Sequence, residues 1–125
     1  MLLFLRDNKP WIPFPNMPDI LGGGVEEGES PEEAAAREMA EELVDLRTDE
    51  PFVLRGHKPF RAYTDQRGCE QHIFECLIDF EISDLRLLEG KGLIWLTEVD
   101  LDSGMKLAFE FEGVLKDYFL QQQVG

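Results

Sequence analysis

Residues 22–46 read GGGVEEGESPEEAAAREMAEELVDL, and this stretch decides both the fold and the chemistry. It holds a glycine turn, a helix start and a dense set of carboxylates. Ser30 suits an N-cap, Pro31 fits the first helical position, where a missing N–H is no loss, and Glu33 completes an S-x-x-E capping box. The spacing predicts a helix from Pro31 to about Leu43 or Val44. Ala35, Met39 and Leu43 recur at i, i+4 and i+8, a narrow apolar stripe facing a core. Glu38, Glu41 and Glu42 recur at i, i+3 and i+4, so three carboxylates share another face.

That second face is unfavourable for a helix on its own. Like charges one turn apart repel, and the C-terminal half of a helix disfavours negative charge. A divalent cation reverses the sign of the argument, because hard oxygen ligands on one face are what magnesium or manganese requires. The plain alternative is a solvated acidic face on an acidic protein.

Arg37 and Glu29 weigh against that alternative. Gly23, five residues, Glu29, seven residues, Arg37-Glu38, Met39, one residue and Glu41-Glu42 together resemble the Nudix box, G-x5-E-x7-R-E-U-x-E-E-x-G-U with U aliphatic. Six fixed identities match, from Gly23 to Glu42. The resemblance breaks at the last two positions, where Val44 stands in place of Gly and Asp45 in place of an aliphatic residue; Leu46 takes the aliphatic role one place later. The departure touches the end of the helix and leaves the carboxylate cluster intact.

The 125 residues suffice for one domain, here 1–125, with one core. A composition of 43% hydrophobic and 30% charged residues is that of a globular chain. No apolar run reaches the roughly 18 residues of a membrane span, and the opening MLLFLRD reads as a strand, not a signal peptide. The formal charge of -14, without a basic stripe, argues against binding a nucleic-acid polymer. An anionic substrate would need metal ions and a few placed cations to overcome that field. Cys69 and Cys76 lack zinc-ligand spacing and read as reduced thiols of a cytoplasmic protein.

Along the chain, Leu2 to Arg6 reads as a strand, followed by an irregular loop with Pro10, Pro13, Pro15 and Pro18. Asp19 to Leu21 is a short extended segment entering the glycine turn. Phe52 to Thr64, interrupted by Gly56 and Pro59, and Gln71 to Phe80 are predicted as a hairpin about the turn at Asp65–Gly68. Leu85 to Leu88 leads into a loop, Leu93 to Leu96 is a short strand, Thr97 caps a brief helical turn, and Phe109 to about Gln122 is a final helix weakened by Gly113. Strands with a central and a terminal helix, without βαβ repetition, indicate an α/β fold with a mixed β-sheet. The Nudix resemblance implies an α/β/α sandwich. In that family the strand resembling Leu2 to Arg6 usually follows another; here that first strand is missing or supplied otherwise. An exposed sheet edge would favour a homodimer.

The resemblance further implies divalent-metal-dependent hydrolysis of a nucleoside diphosphate linked to another group, with Mg2+ or Mn2+ as cofactor. By position in the box, Glu38 and Glu42 are the principal metal ligands, and Glu41 is a further ligand or the proton acceptor. The Gly23 carbonyl is an additional ligand. Arg37 and Glu29 form a supporting ion pair. Glu89, on a loop before a strand, is a candidate fourth carboxylate, with Glu75 its competitor. Arg6, Phe14 and Tyr63 are candidates for contacting phosphates and base. The expected substrate is a small nucleoside triphosphate; a nucleotide sugar or ADP-ribose is the nearest alternative. A nucleotide-sensing module without turnover is the rival of another class, but such modules usually lose carboxylates that are all present here.

Overall fold

The computed structural model describes residues 1–124. In chain order the elements are β1 (Leu2–Leu5), β2 (Pro18–Asp19), α1 (Pro31–Glu42), β3 (Leu43–Asp45), β4 (Glu50–Pro51), β5 (Lys58–Thr64), β6 (Glu70–Glu75), β7 (Leu85–Leu87), β8 (Gly92–Trp95), α2 (Glu98–Asp102) and α3 (Phe111–Val124). The fold class is α/β, as expected. The strands fall into three short sheets, ordered β2-β1-β8, β4-β3-β7 and β5-β6. Strands interrupted by Pro18, Pro51 and Pro59 cannot sustain long ladders, because proline contributes no N–H. Backbone contacts divide the chain into two units, residues 1–21 with 87–124, and residues 22–86.

In the first unit β1 is the middle strand. It pairs antiparallel with β2 (Phe4 opposite Asp19) and with β8 (Leu3 opposite Ile94). The N-terminal ammonium donates to the Leu96 carbonyl at 2.8 Å, and the Leu96 N–H donates to the Met1 carbonyl at 2.8 Å, which extends the ladder. Of the two alternatives for the strand beside Leu2 to Arg6, the second holds: β2 supplies a neighbour at Phe4 and Leu5, β8 pairs along the other side, and the outer edges of this sheet belong to β2 and β8. Leu3, Leu96, Leu101, Leu107, Ala108, Phe111, Val114 and Leu115 form its buried apolar set. Gly90 turns the chain into β8 with φ of 95°, and a Cβ there would lie 2.8 Å from the Phe4 ring and 2.9 Å from the Leu5 carbonyl oxygen. Only glycine meets both conditions.

In the second unit α1 begins as the sequence predicts. The Glu33 N–H donates to Ser30 Oγ at 3.1 Å and the Ser30 N–H donates to Glu33 Oε1 at 3.0 Å, a complete capping box. Its end differs. The helix stops at Glu42, and Leu43 adopts φ −126° and ψ 141°. Val44, where a left-handed glycine cap would stand, is β-branched and favours extended backbone, so the chain runs directly into β3. The buried helical residue is Ala34, while Ala35 and Met39 are half-buried. Leu43, the third residue of the predicted stripe, is fully buried but in β3, and Ala34 shares a side of the helix with Glu38.

The hairpin is formed by β5 and β6 alone. Phe52 to His57 and Cys76 to Phe80 are not strand, because Gly56 and a register shift at Pro59–Arg61 interrupt pairing. Asp65 organises the turn. Its carboxylate accepts from the N–H groups of Arg67 and Cys69, both at 2.9 Å, from Gln71 Nε2 at 3.1 Å and from Arg67 Nη2 at 2.6 Å. Two further boundaries shift. Leu85–Leu87 is a strand, and the last helix starts at Phe111 after a 3-10 turn in which Phe109 has φ of 55°.

Candidate active site

The box residues meet where the glycine turn returns to α1. Arg37 is the hub. Its Nε donates to Glu29 Oε2 at 2.7 Å and its Nη2 to Glu29 Oε1 at 3.0 Å, a bidentate pair; Nη2 also donates to the Gly24 carbonyl at 2.8 Å. Nη1 faces the other way, to Glu38 Oε1 at 2.9 Å and to both Glu41 oxygens at 3.3 Å. The Glu29 carboxylate also accepts from the Glu26 N–H at 3.0 Å. Arg37 first, then that N–H, holds Glu29 below the ordinary carboxylate range. In return Glu29, followed by Glu38, strengthens the protonated state of Arg37. The expected pair of Arg37 and Glu29 therefore appears as a fork that ties loop to helix, and bidentate guanidinium–carboxylate pairs are the strong form of that contact.

The glycine turn lies directly on the carboxylates. A Cβ built on Gly23 would collide with the carboxylate of Glu38. The Gly22 N–H points to Glu42 Oε2 at 3.4 Å. Glu38 is largely enclosed, with 17% of its side chain exposed, whereas Glu41 exposes 57%. The environment thus distinguishes a fixed carboxylate from a solvent-facing one. Among the described residues no three acids, histidines or cysteines stand close enough to hold a metal ion as they are. Even so, the donor set suits a hard divalent cation: carboxylates of Glu38, Glu41 and Glu42, with a glycine backbone pressed against Glu38 and leaving no room for a side chain.

The remaining candidates fall at other places. Tyr63, in the second unit, is half-buried on β5 opposite Gln71; burial first and then the Asp65 carboxylate push its phenol up. Glu75 ends β6 and is half-buried. Arg6, Phe14 and Glu89 belong to the first unit. Glu89 is exposed on the turn between β7 and β8. Arg6 is engaged by its own unit: Nη1 donates to Asp19 Oδ2 at 2.9 Å, Nε to the Pro13 carbonyl at 3.0 Å, and the guanidinium lies 5.2 Å from the centre of the Phe109 ring. Phe14 packs edge-on against Phe109, with ring centres 4.7 Å apart. Asp19 is buried, and desolvation pushes its carboxyl up against the opposing pull of Arg6. Sequence reasoning did not find Asp19 or Phe109, because both join Arg6 through strand register and tertiary packing. Gly22 and Gly24, which touch Glu42 and Arg37, were signalled by the triple glycine.

Comparison with known proteins agrees with this geometry. The NUDIX domain family model matches residues 1–101. The chain is 30% identical over 115 residues to a protein of Enterobacter sp. (strain 638) named nucleoside triphosphatase NudI, covering 82% of this chain and 80% of that protein. No solved structure matches significantly. With the box identities complete from Gly23 to Glu42 and the family model spanning most of the sequence, the chain belongs to the Nudix family.

Proposed function

We propose that the protein, acting as one domain over residues 1–125, hydrolyses a small nucleoside triphosphate to the monophosphate and pyrophosphate, with Mg2+ (or Mn2+) bound at α1. The observation that carries this reading is the intact set Glu38, Glu41 and Glu42 beside the Gly22–Gly23 backbone, backed by the Arg37–Glu29 fork. Membership of the Nudix family makes the chain a pyrophosphohydrolase. The name of the Enterobacter relative, a nucleoside triphosphatase, supports a triphosphate over a nucleotide sugar or ADP-ribose.

In this reading Glu38 and Glu42 hold the cation together with the Gly23 carbonyl. When bound, the cation neutralises phosphate oxygens and lowers the pKa of water. Glu41, the most exposed of the three, accepts the proton as water oxygen bonds to phosphorus and the bridging P–O bond breaks. Arg37 and Glu29 keep α1 and the glycine turn in register. Glu89 (or, in its place, Glu75) adds a further carboxylate, and Arg6, Phe14 and Tyr63 serve the substrate. A cytoplasmic location is inferred from the lack of paired cysteines; no described helix is long and apolar enough to cross a membrane. A homodimer through the open edge of β2 or β8 is part of the same proposal.

The test is a panel of nucleoside triphosphates, nucleotide sugars, ADP-ribose and dinucleotides, each assayed with Mg2+, Mn2+ and EDTA. Turnover confined to triphosphates and lost in EDTA is expected. Turnover confined to a nucleotide sugar or ADP-ribose would replace the substrate class and keep the chemistry. Metal binding without turnover of any member would instead favour a sensing module.

A further inference from the structure

The contacts of Arg37 separate into two groups with different geometry. Nε and Nη2 form the fork on Glu29, at 2.7 and 3.0 Å, and Nη2 reaches the Gly24 carbonyl at 2.8 Å. Glu29 exposes only 15% of its side chain. Nη1 alone faces Glu38 at 2.9 Å, Glu41 at 3.3 Å and Glu26 at 3.7 Å, and the last two carboxylates are exposed by 57% and 70%. Bidentate pairing with one enclosed carboxylate is the stronger kind, and a single arm shared among three carboxylates, two of them solvated, is the weaker. Nη1 is therefore a cation already set among the acids of α1, in the half of the helix where repulsion between Glu38 and Glu41 is least compensated.

We propose that Arg37 Nη1 is a resident counter-ion of Glu38 and Glu41, which an arriving divalent cation displaces, while Nε and Nη2 remain on Glu29 and Gly24. The proposal rests on the reading of these carboxylates as cation ligands. It assigns Arg37 two separable duties. One anchors the loop to the helix. The other holds like charges together until the metal replaces it, at the expense of competing with the metal. Arg37 is a positioning residue on this account. Its removal lowers stability without metal, yet removes a positive charge from beside the cation.

Two measurements on EDTA-stripped protein test this. In the first, wild-type protein is titrated with MgCl2 while the Arg37 guanidinium 15N resonances are followed by NMR and the heat by calorimetry. Saturation should move the Nη1 resonance toward that of a solvated guanidinium and leave Nε unmoved. In the second, Arg37→Gln should melt at a lower temperature in EDTA but bind Mg2+ about two- to five-fold more tightly, the scale of one exposed ion pair released. Magnesium heat with an unmoved Nη1 resonance would overturn the displacement and leave the metal reading standing. So would weaker Mg2+ binding by Arg37→Gln alongside its lower melting temperature. An absence of magnesium heat in the wild type would overturn both. Should Arg37→Gln not fold, the wild-type titration decides alone.

Discussion

Gly23 is the residue whose replacement asks the most direct question of the site. Its φ lies outside the left-handed region, so alanine suits the backbone, and the atoms nearest the methyl group are those of the Glu38 carboxylate. Gly23→Ala should therefore leave the melting temperature in EDTA nearly unchanged while Mg2+ affinity falls about 10- to 100-fold, as when a ligand's supporting contact is lost. Equal Kd values by calorimetry would remove Gly23 from the site. Glu42→Gln should likewise separate stability from function. Removing a charge at the last helical position should leave stability in EDTA unchanged or raise it by a few tenths of a kcal/mol. Turnover should fall about 10²- to 10³-fold, in the range of losing one preorganised electrostatic group. The box residues were legible because fixed spacing on a helix determines which side chains share a face. The partners of Arg6 were not, since the contact with Asp19 depends on β1–β2 register, which one-residue alternation leaves open.

Asp65 gives a pH prediction at the same scale. Burial pushes its carboxyl up, but the N–H of Cys69, the side chains of Gln71 and Arg67 and the N–H of Arg67 outweigh it and hold the pKa at about 2. An unfolded aspartate titrates at about 3.9. A depressed carboxylate contributes stability that is complete above the unfolded value and is lost as pH falls through the folded one. The melting temperature of wild type should exceed that of Asp65→Asn by a constant margin at neutral pH, and the margin should shrink between about pH 4 and pH 2. A margin independent of pH would show that the carboxylate charge is not what stabilises the turn.

Elements were legible where local chemistry specifies them and misplaced where packing does. The start of α1 is written in Ser30, Pro31 and Glu33, three neighbouring residues whose bonds are satisfied among themselves. Ser30→Ala should cost about 1 kcal/mol in urea unfolding, the usual value of an N-cap. A loss below the error of that experiment would mean that tertiary contacts alone position the helix start. The end of α1 was less legible, because Leu43 and Val44 continue an apolar pattern that suits helix or strand equally, and burial of Leu43 in β3 decided it. The same ambiguity lengthened the predicted hairpin strands. Phe52 is buried without being strand, so an apolar β-former there reflects a core position and not a ladder.

On the scale of the whole molecule, composition and the box together identified an α/β Nudix chain before any contact was known. What a sequence does not encode locally is which strands become neighbours. β1 and β8 lie far apart in the chain yet share a four-residue register, and β2 takes the place beside Phe4 and Leu5, so the dimer is argued from the outer edges of β2 and β8. Sizing at micromolar concentration should give twice the monomer mass, and a monomer would withdraw the dimer without touching the catalytic reading. The formal charge of -14 bears on the proposed substrate as well: on that reading a triphosphate approaches a protein of its own sign and requires a cation to bridge them.

That requirement defines the most direct measurement: the initial rate of pyrophosphate release from a nucleoside triphosphate, in Mg2+ and in EDTA, for wild type and for Glu41→Gln/Glu42→Gln. The account predicts release by the wild type in Mg2+ alone and at least about a hundredfold less from the double variant. Equal release in EDTA, or by the double variant, would contradict a cation-dependent site on α1.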